Sequence, residues 1–571
     1  MRPPTLHYAP LLAFTLALLA PSLLAQAPAK HPANAGPLRP IQIENGKLLG
    51  VLTADQKIVA YKGVPYAQPP IDELRWQAPQ PVGRWKKVLY ARDFGPHCLQ
   101  SGSYPDMVFH DPGPSEDCLT LNVWAPAPPA KPAHHPGPGL PVMVWIYGGG
   151  FSTGGTSEAR QNGEAFARRG VIVVSMNYRV GIFGFFSLPE LTEESPHHTS
   201  GNYGLLDQAA ALAWVHRNIA AFGGDPTNVT LFGQSAGSES VSVQMASPIA
   251  NNLFARAIGE SGAEFPAAGR AMPARQQAEQ INAGWANRAF GSDKLFYLRQ
   301  LPADEIMQAA NSRTAPRFGP VVDGYFLPDT IPHLYADGKQ AHIPLLAGWN
   351  SDEQHLANPT GDSFFSQLRD DFGARVQDAL AVYPITTDAD LLRSANDYAG
   401  DRSIAYSTWA WLEQHSRTGN APVYRYFFDL ASPGDRNHSP SLGAFHSDDI
   451  EYVFAALDSR PGMAIRPEDR ALSDLIQQYW VNFARTGDPN APGLPPWPSY
   501  NHAANSLQPA TQPTGVNQPS SSQSQSTIAN HLTGVAQPLD FPVMHLDATP
   551  AAKPDTLRPR YLFLDQFWAA H

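Results

Sequence analysis

Two serines of this chain stand in the pattern G-x-S-x-G, which can hold a hydroxyl exposed on a tight turn. Ser235 lies in GQSAG at 233–237, and Ser152 lies in GFSTG at 150–154. Either hydroxyl could start acyl transfer, in which the serine oxygen attacks a carbonyl carbon. Because the pattern occurs twice, the residues around each serine must decide which one reacts.

The surroundings favour Ser235. The apolar run NVTLF leads toward it as a strand, and AGSESVSVQMA follows with residues that suit a helix. Ser152 also follows a strand, but the glycine-rich residues after it cannot begin a helix at once. We therefore expect Ser235 to be the nucleophile. The glycines at 148–150 would instead direct their N–H groups toward a developing oxyanion.

Strands and helices alternate around this turn. Continuous apolar runs rich in β-branched residues are typical of strands buried in a parallel sheet. These runs are VMVWI at 142–146, VIVVSM at 171–176, NVTLF at 228–232, IPLLAG at 343–348 and VYRYFF at 423–428. Helical spacing of apolar residues predicts helices over 205–222 and 467–486, the second capped by Gly487. The alternation predicts an open α/β sheet, preceded at 39–130 by short antiparallel strands.

Composition and charge exclude one class of partner. The 571 residues include 40 Lys and Arg against 51 Asp and Glu, which gives a net charge of −11. Nucleic-acid binding needs a positive surface for the phosphate backbone, and no basic run is present to supply it. We therefore expect no nucleic-acid partner, while the oligomeric state stays open.

The N-terminus predicts export. Residues 1–27 contain one basic residue, the apolar run LLAFTLALLA at 11–20 and then small residues, which is the layout of a secretory signal peptide. Pro28 disfavours cleavage after Ala27, so cleavage after Ala25 stays open. No other run of eighteen apolar residues occurs, and we expect no membrane span. A secreted or periplasmic protein is predicted.

The remaining chain is predicted to form one domain. Residues 28–38 are rich in Pro and Ala and predict a loose leader, after which the domain extends over 39–571. Residues 505–538 are rich in Gln, Ser, Thr, Asn and Pro, with few large apolar residues. This composition predicts a flexible surface insertion inside the domain.

The two cysteines, Cys98 and Cys118, would be expected to pair in an oxidising compartment. The bond would close a loop of about twenty residues and stabilise the fold by roughly 3 kcal/mol. The alternative is two unrelated buried thiols. Two cysteines are too few for a zinc site, and no H-E-x-x-H motif occurs, so we expect no metal and no cofactor.

In addition to the serine motif, the chain contains a series of longer sequence blocks that can be compared with known families. These blocks are KGVPYAQPP at 62–70, SEDCLTLNVW at 115–124, VWIYGGGF at 144–151, NYRVGIFGF at 177–185, GNYGLLDQ at 201–208, FGGDPTNVTLFGQSAGS at 222–238, GAFHSDDIEYVF at 443–454 and FARTGDPN at 483–490. In these blocks the chain resembles the type-B carboxylesterases, the cholinesterase-like branch of the α/β-hydrolases, over about 40–500 and 540–568. The resemblance implies a central, mostly parallel, twisted sheet flanked by helices, with large loop insertions.

The resemblance also implies partners for Ser235. Ten histidines follow it in the chain, and spacing alone does not choose among them. The family block Gly-x-x-His-x-x-(Asp/Glu) falls on GAFHSDD, which selects His446 as the base. The family's acid falls on Glu353 in GWNSDEQ, with neighbouring Asp352 as the less favoured choice. The order serine, acid, histidine is the one that this fold uses.

Further roles follow from the same resemblance. The oxyanion donors implied are the N–H groups of Gly149, Gly150 and Ala236. The loop between Cys98 and Cys118 matches the family's first disulfide loop, which borders the gorge to the site. That loop contains no tryptophan, whereas cholinesterases place there the indole that binds choline, so a choline-ester specialist is not expected.

Two further departures from the family's pattern accompany these matches. Gln234 stands where many members have glutamate, which removes a negative charge from the pocket. The insertion at 505–538 is longer than expected, and we read it as a tolerated surface loop.

The prediction is a secreted serine hydrolase that cleaves small carboxylic esters through an acyl-serine intermediate. One alternative is a catalytically silent adhesion or interaction homologue, because the family contains members that lost the triad. The other is a hydrolase of carbamates, thioesters or lipid esters, which the sequence barely separates from a carboxylesterase.

Overall fold

The computed structural model describes residues 38–128, 139–268, 270–356, 359–434, 442–500 and 542–569. The predicted signal peptide at 1–27, the leader up to residue 37 and the predicted insertion at 505–538 lie outside the described residues. Within the described part of the chain, every helix is too short or too polar to cross a bilayer.

Strands and helices alternate through most of the described chain. The strands are β1 Ile41–Ile43, β2 Gly46–Leu49, β3 Val51–Leu52, β4 Ile58–Pro65, β5 Leu89–Tyr90, β6 His97–Cys98, β7 Pro114–Ser115, β8 Thr120–Pro126, β9 Leu140–Ile146, β10 Ile172–Met176, β11 Gly224–Gln234, β12 Arg256–Glu260, β13 Leu345–Asn350, β14 Val423–Phe428, β15 Pro542–Leu546 and β16 Ala551–Pro554. The α-helices are α1 Glu164–Arg168, α2 Gly181–Phe185, α3 Pro189–Glu194, α4 Tyr203–Asn218, α5 Ala236–Ala246, α6 Arg275–Phe290, α7 Leu295–Gln300, α8 Ala303–Ala310, α9 Ile331–Ala336, α10 Gly361–Phe372, α11 Val376–Val382, α12 Asp388–Gly400, α13 Tyr406–Thr418, α14 Ile450–Val453, α15 Pro467–Thr486 and α16 Arg558–Trp568.

A large mixed sheet organises the fold. Its strand order is β16-β15-β14-β13-β12-β11-β9-β10-β8-β4-β3. The neighbours from β10 through β9 and β11 to β15 pair in parallel, whereas β8, β4 and β3 at one edge and β16 at the other pair antiparallel. Two small sheets, β1-β2-β5 and β6-β7, lie outside it. The prediction of a mostly parallel sheet is therefore confirmed.

The centre of the sheet is also the centre of the hydrophobic core. Strand β9 is buried from Pro141 to Ile146, and β10 is buried throughout. Strand β11 lies between β9 and β12, with Leu231 opposite Val144 and Gly233 opposite Gly259. Helices α4, α5 and α15 pack on these strands, and α13 packs on the neighbouring strands β13 and β14. A strand buried on both faces needs apolar residues at consecutive positions, which is the pattern that these runs have.

The sequence predicted most of these elements, with differences at their ends. All five predicted runs are strands, and helix α15 ends at Gly487, which adopts the left-handed conformation at φ 83°. The helix predicted over 205–222 starts at Tyr203, and its last four residues form a tighter 3-10 turn. In the N-terminal region β2–β5 and β6–β7 pair in parallel rather than antiparallel, each through two residues of short, loop-connected strands.

Candidate active site

Ser235 lies on the turn between a strand and a helix. Strand β11 ends at Gln234 and helix α5 begins at Ala236, so Ser235 is the single residue between them. Its backbone has φ 56° and ψ −126°, a conformation that residues with a side chain rarely adopt. The packed strand and helix on either side hold this strained turn, which fixes the direction of the hydroxyl.

Glycines on both sides of Ser235 allow this turn to form. A Cβ atom on Gly233 would lie 2.6 Å from the carbonyl carbon of Gly237. A Cβ atom on Gly237 would lie 2.0 Å from the carbonyl oxygen of Ile146, at the end of the neighbouring strand β9. Both separations are far below van der Waals contact, so any side chain would push the turn away from the sheet.

A histidine and a glutamate continue from Ser235 in one chain of hydrogen bonds. The Nε2 atom of His446 lies 2.8 Å from the Ser235 Oγ atom. On the other side of the ring, Nδ1 lies 2.5 Å from the Glu353 Oε2 atom. The His446 side chain is 29% exposed and the Glu353 side chain is 2% exposed, so the acid is buried while the imidazole reaches solvent. The structure thus brings together all three residues that the sequence selected.

Glu353 is itself held in place. Its second oxygen, Oε1, accepts a hydrogen bond of 2.7 Å from the backbone N–H of Asn350, the last residue of β13. The Asn350 side chain donates to the carbonyl oxygens of Phe445, at 2.7 Å, and His446, at 3.2 Å. One asparagine therefore ties the loop that carries the acid to the loop that carries the histidine.

The neighbouring carboxylate, Asp352, points elsewhere. Its backbone N–H donates to the Ala444 carbonyl at 2.8 Å, and its Oδ2 atom lies 3.6 Å from the Nδ1 atom of His355. Of the two acids that the sequence left open, the structure places Glu353 against His446.

Gln234 contributes to the same arrangement. Its side-chain Nε2 donates a hydrogen bond of 2.7 Å to the carbonyl oxygen of His446. A glutamate at this position, which the resemblance leads one to expect, would present only acceptor oxygens when ionised and could not make this bond. The departure from the family's pattern thus gives the histidine loop an additional anchor.

The second serine motif has a different environment. The Ser152 hydroxyl donates to the carbonyl oxygen of Gly149 at 3.1 Å and, within the described residues, forms no hydrogen bond with a histidine. Gly149 and Gly150 have φ values of 115° and 61°, and they line the same cavity as Ser235. Their N–H groups have no acceptor in the described part of the chain. The N–H of Ala236 lies in the first turn of α5, where helices leave their donors free.

The cavity above Ser235 has a volume of about 590 Å³. One wall comes from the loop that the Cys98–Cys118 disulfide closes, through Tyr104, Pro105, Asp106 and Met107. Apolar side chains also line the cavity, among them Phe265, Ile404 and Phe445. This size and lining suit a small organic molecule with an apolar portion.

Among the described residues, the cavity included, no group of three His, Cys, Asp or Glu residues is placed to hold a metal ion.

Charged groups around the cavity set the titration of His446. Partial burial of the imidazole opposes its protonation, but the Glu353 carboxylate, its hydrogen bond and the carboxylates of Asp449 and Glu239 outweigh this, so the pKa of His446 is raised. Burial, together with the nearby Glu239, raises the pKa of Glu264 to about 8. Among the groups that raise the pKa of His446, the buried Glu353 that it contacts thus contributes most.

Several residues of the site were missed by the sequence analysis. Asn350, Glu239, Glu264, Arg270 and Arg317 either anchor the loops or line the cavity. A signal existed for Asn350, because it stands in the same GWNSDEQ segment as Glu353. The other four carry no motif, and only the fold brings them to the cavity.

Comparisons with known proteins agree with this geometry. The profile of the carboxylesterase family matches residues 38–527. A para-nitrobenzyl esterase of Bacillus subtilis is 36% identical over 481 residues, covering 81% of this chain and 92% of that protein. A fumonisin B1 esterase of Sphingopyxis macrogoltabida is 34% identical over 492 residues, covering 80% and 84%. A solved PNB esterase structure superposes with a TM-score of 0.72 at 31% identity and covers 92% of this chain and 99% of its own.

Proposed function

Because the chain belongs to the carboxylesterase family, and is therefore a carboxylic ester hydrolase, we propose that Ser235 is its nucleophile, with His446 as base and Glu353 as the orienting acid. The observation that carries this proposal is the continuous hydrogen-bonded series from Ser235 Oγ through both nitrogens of His446 to Glu353. A serine hydroxyl is a weak nucleophile until a neighbouring base removes its proton.

The first half-reaction forms an acyl-serine. As Ser235 Oγ attacks the ester carbonyl, His446 Nε2 takes the hydroxyl proton, and Glu353 stabilises the resulting imidazolium. The carbonyl oxygen becomes an oxyanion that the N–H groups of Gly149, Gly150 and Ala236 would bind. His446 then gives its proton to the departing alcohol, and the carbon–oxygen bond of the ester breaks.

The second half-reaction releases the acid. Water enters the site, His446 takes one of its protons, and the hydroxide attacks the acyl carbon. The same N–H groups bind the second oxyanion. The proton then returns from His446 to the Ser235 oxygen, so that the carboxylic acid leaves and the enzyme is restored. No redox step or external co-reactant other than water enters this cycle.

We further propose that the enzyme is exported and that it acts on small-molecule esters. The sequence of residues 1–27 supports export. The disulfide between Cys98 and Cys118 is consistent with an oxidising compartment, where such bonds persist. The cavity of about 590 Å³ suits small esters better than long lipid chains.

The direct test combines turnover with covalent trapping. We expect the purified protein to hydrolyse p-nitrophenyl esters from acetate to hexanoate and to lose this activity after reaction with a fluorophosphonate. Peptide mass spectrometry should then place the phosphonyl group on the peptide that contains Ser235 rather than on the one that contains Ser152. An inactive protein on every ester, or a label on Ser152, would contradict the proposal.

The rate should depend on pH through His446. The base must be neutral to accept a proton, and its pKa is raised above the ordinary value of about 6.5. We therefore expect kcat/KM to fall as the pH drops through this raised pKa and to reach a plateau above it. The measurement is a profile of kcat/KM for p-nitrophenyl butanoate between pH 5 and 9, at constant ionic strength.

A matched variant separates His446 from Glu264, one of the groups that titrate near the cavity. Glu264 has a pKa of about 8, and Glu264→Gln removes that titration. The fall in kcat/KM at low pH should persist in the variant. If this fall is absent in Glu264→Gln, or if its apparent pKa lies below 6.5 in the unmodified enzyme, His446 is not the group that causes it.

A further inference from the structure

Two arginines line the same cavity as Ser235 and lack a carboxylate partner. Arg270 donates to the backbone carbonyl oxygen of Arg402, and no ion pair joins it or Arg317 to any acid among the described residues. A third arginine of the cavity, Arg160, shows the contrast. It bonds Asp106 at 2.7 Å and Glu158 at 2.8 Å, as expected of an arginine with a structural role.

The guanidinium groups of Arg270 and Arg317 are close enough to affect each other. Burial lowers the pKa of Arg270, and the neighbouring charges of Arg317 and Arg402 lower it further, while Glu239 and Glu264 raise it by less. Like charges held together at a cavity wall raise the energy of the empty site. An anion placed between them would relieve that repulsion and gain attraction to both.

The acids that face these arginines offset their charge only in part. Glu239 and Glu264 line the cavity, but neither forms an ion pair with Arg270 or Arg317. Burial raises the pKa of both carboxyls, and for Glu264, whose pKa is raised to about 8, the protonated form is populated at neutral pH. Both arginine side chains are partly exposed, so a ligand in the cavity can reach them.

We propose that the enzyme prefers esters that carry a carboxylate, which Arg270 and Arg317 bind while the ester carbonyl lies at Ser235. This inference rests on the proposed function of Ser235. A guanidinium offers paired N–H donors that match the two oxygens of a carboxylate, and such charge-assisted bonds are stronger than neutral ones. Phe265 and Ile404, in the same cavity, would contact the carbon chain between the two groups. Cationic esters would be disfavoured by the same charges.

Matched pairs of esters test this proposal. Mono-p-nitrophenyl adipate and p-nitrophenyl hexanoate have acyl chains of equal length, which end in a carboxylate and a methyl group. On the alcohol side, 4-(butanoyloxy)benzoate and 4-methylphenyl butanoate form a similar pair. For each pair the quantity measured is the ratio of kcat/KM for the charged ester to that for the neutral ester. Comparing this ratio between variants cancels differences in the intrinsic reactivity of the esters.

In at least one pair we expect Arg317→Gln and Arg270→Gln each to lower the ratio by about 10- to 100-fold. Arg317→Lys, which keeps the charge but not the paired donors, should lower it less. The control is Arg313→Gln, which removes the same charge from an exposed position in the same segment, outside the cavity. Its ratio should match that of the unmodified enzyme.

The outcomes separate this inference from the proposed function. If the neutral esters are cleaved but both ratios change by less than about 2-fold in Arg270→Gln and Arg317→Gln, the inference is wrong and the proposed function stands. An equal loss in Arg313→Gln would assign the effect to general surface charge and would also overturn it. If the unmodified enzyme cleaves no ester at all, the proposed function fails and the inference falls with it.

Discussion

Replacing Ser235 with alanine is expected to lower kcat for p-nitrophenyl butanoate by on the order of 10⁴- to 10⁶-fold. The alanine has no oxygen to form the acyl intermediate, so only direct attack by water remains. Water would still meet the N–H donors and the bound substrate, which is why some rate above the uncatalysed reaction should persist. Substrate binding should change far less than kcat, because the cavity walls stay in place.

The Ser152→Ala variant, a Ser235→Ala/His446→Ala double variant and an active-site titration make this result specific. Ser152→Ala removes one hydrogen bond, from Ser152 Oγ to the Gly149 carbonyl oxygen, and should lower kcat by less than about 10-fold. Adding His446→Ala to the Ser235 variant should cost little more, since the two residues act in one step and their losses do not add. A Ser235→Ala enzyme that kept more than about one hundredth of the activity, with contamination excluded by active-site titration, would refute Ser235 as nucleophile.

The strand-to-helix turn at Ser235 could be predicted because local patterns determine it. A continuous apolar run specifies β11, helix-compatible residues specify α5, and glycines at 233 and 237 permit the backbone contact between them. The same local patterns explain why Ser152 is not predicted to be the nucleophile. Its glycine-rich surroundings form turns in the structure rather than a helix.

The partners of Ser235 could not be predicted from local patterns. His446 is separated from Ser235 by 211 positions, and Glu353 and His446 are separated by 93. Only the order of the strands in the sheet brings together the loops that carry these three residues. The sequence reveals that order only through resemblance to a family. Where resemblance gave no guidance, as for Arg270 and Arg317, the residues were missed although they line the same cavity.

Glu353→Gln is expected to lower kcat/KM by on the order of 10³- to 10⁴-fold without loss of folding, by analogy with the same type of change in other triads. The reason lies in the two bonds of Glu353. Its Oε1 accepts from the Asn350 N–H, so a glutamine must direct its oxygen there and its NH₂ group toward His446 Nδ1. The imidazole would then carry its proton on Nε2, facing Ser235, and could not accept the serine proton.

The structure supplies a matched control for this change in the neighbouring residue. Asp352→Asn is the same isosteric replacement of a buried acid, but Asp352 faces His355 rather than His446 and should change kcat/KM by no more than a few-fold. Equal thermal unfolding midpoints for both variants would confirm that folding is intact. If Glu353→Gln keeps more than a tenth of the activity, or Asp352→Asn loses as much as it does, Glu353 is not the orienting acid. A large loss confined to Glu353→Gln would mean that this carboxylate acts by fixing the tautomer of His446, since shape and packing are nearly unchanged.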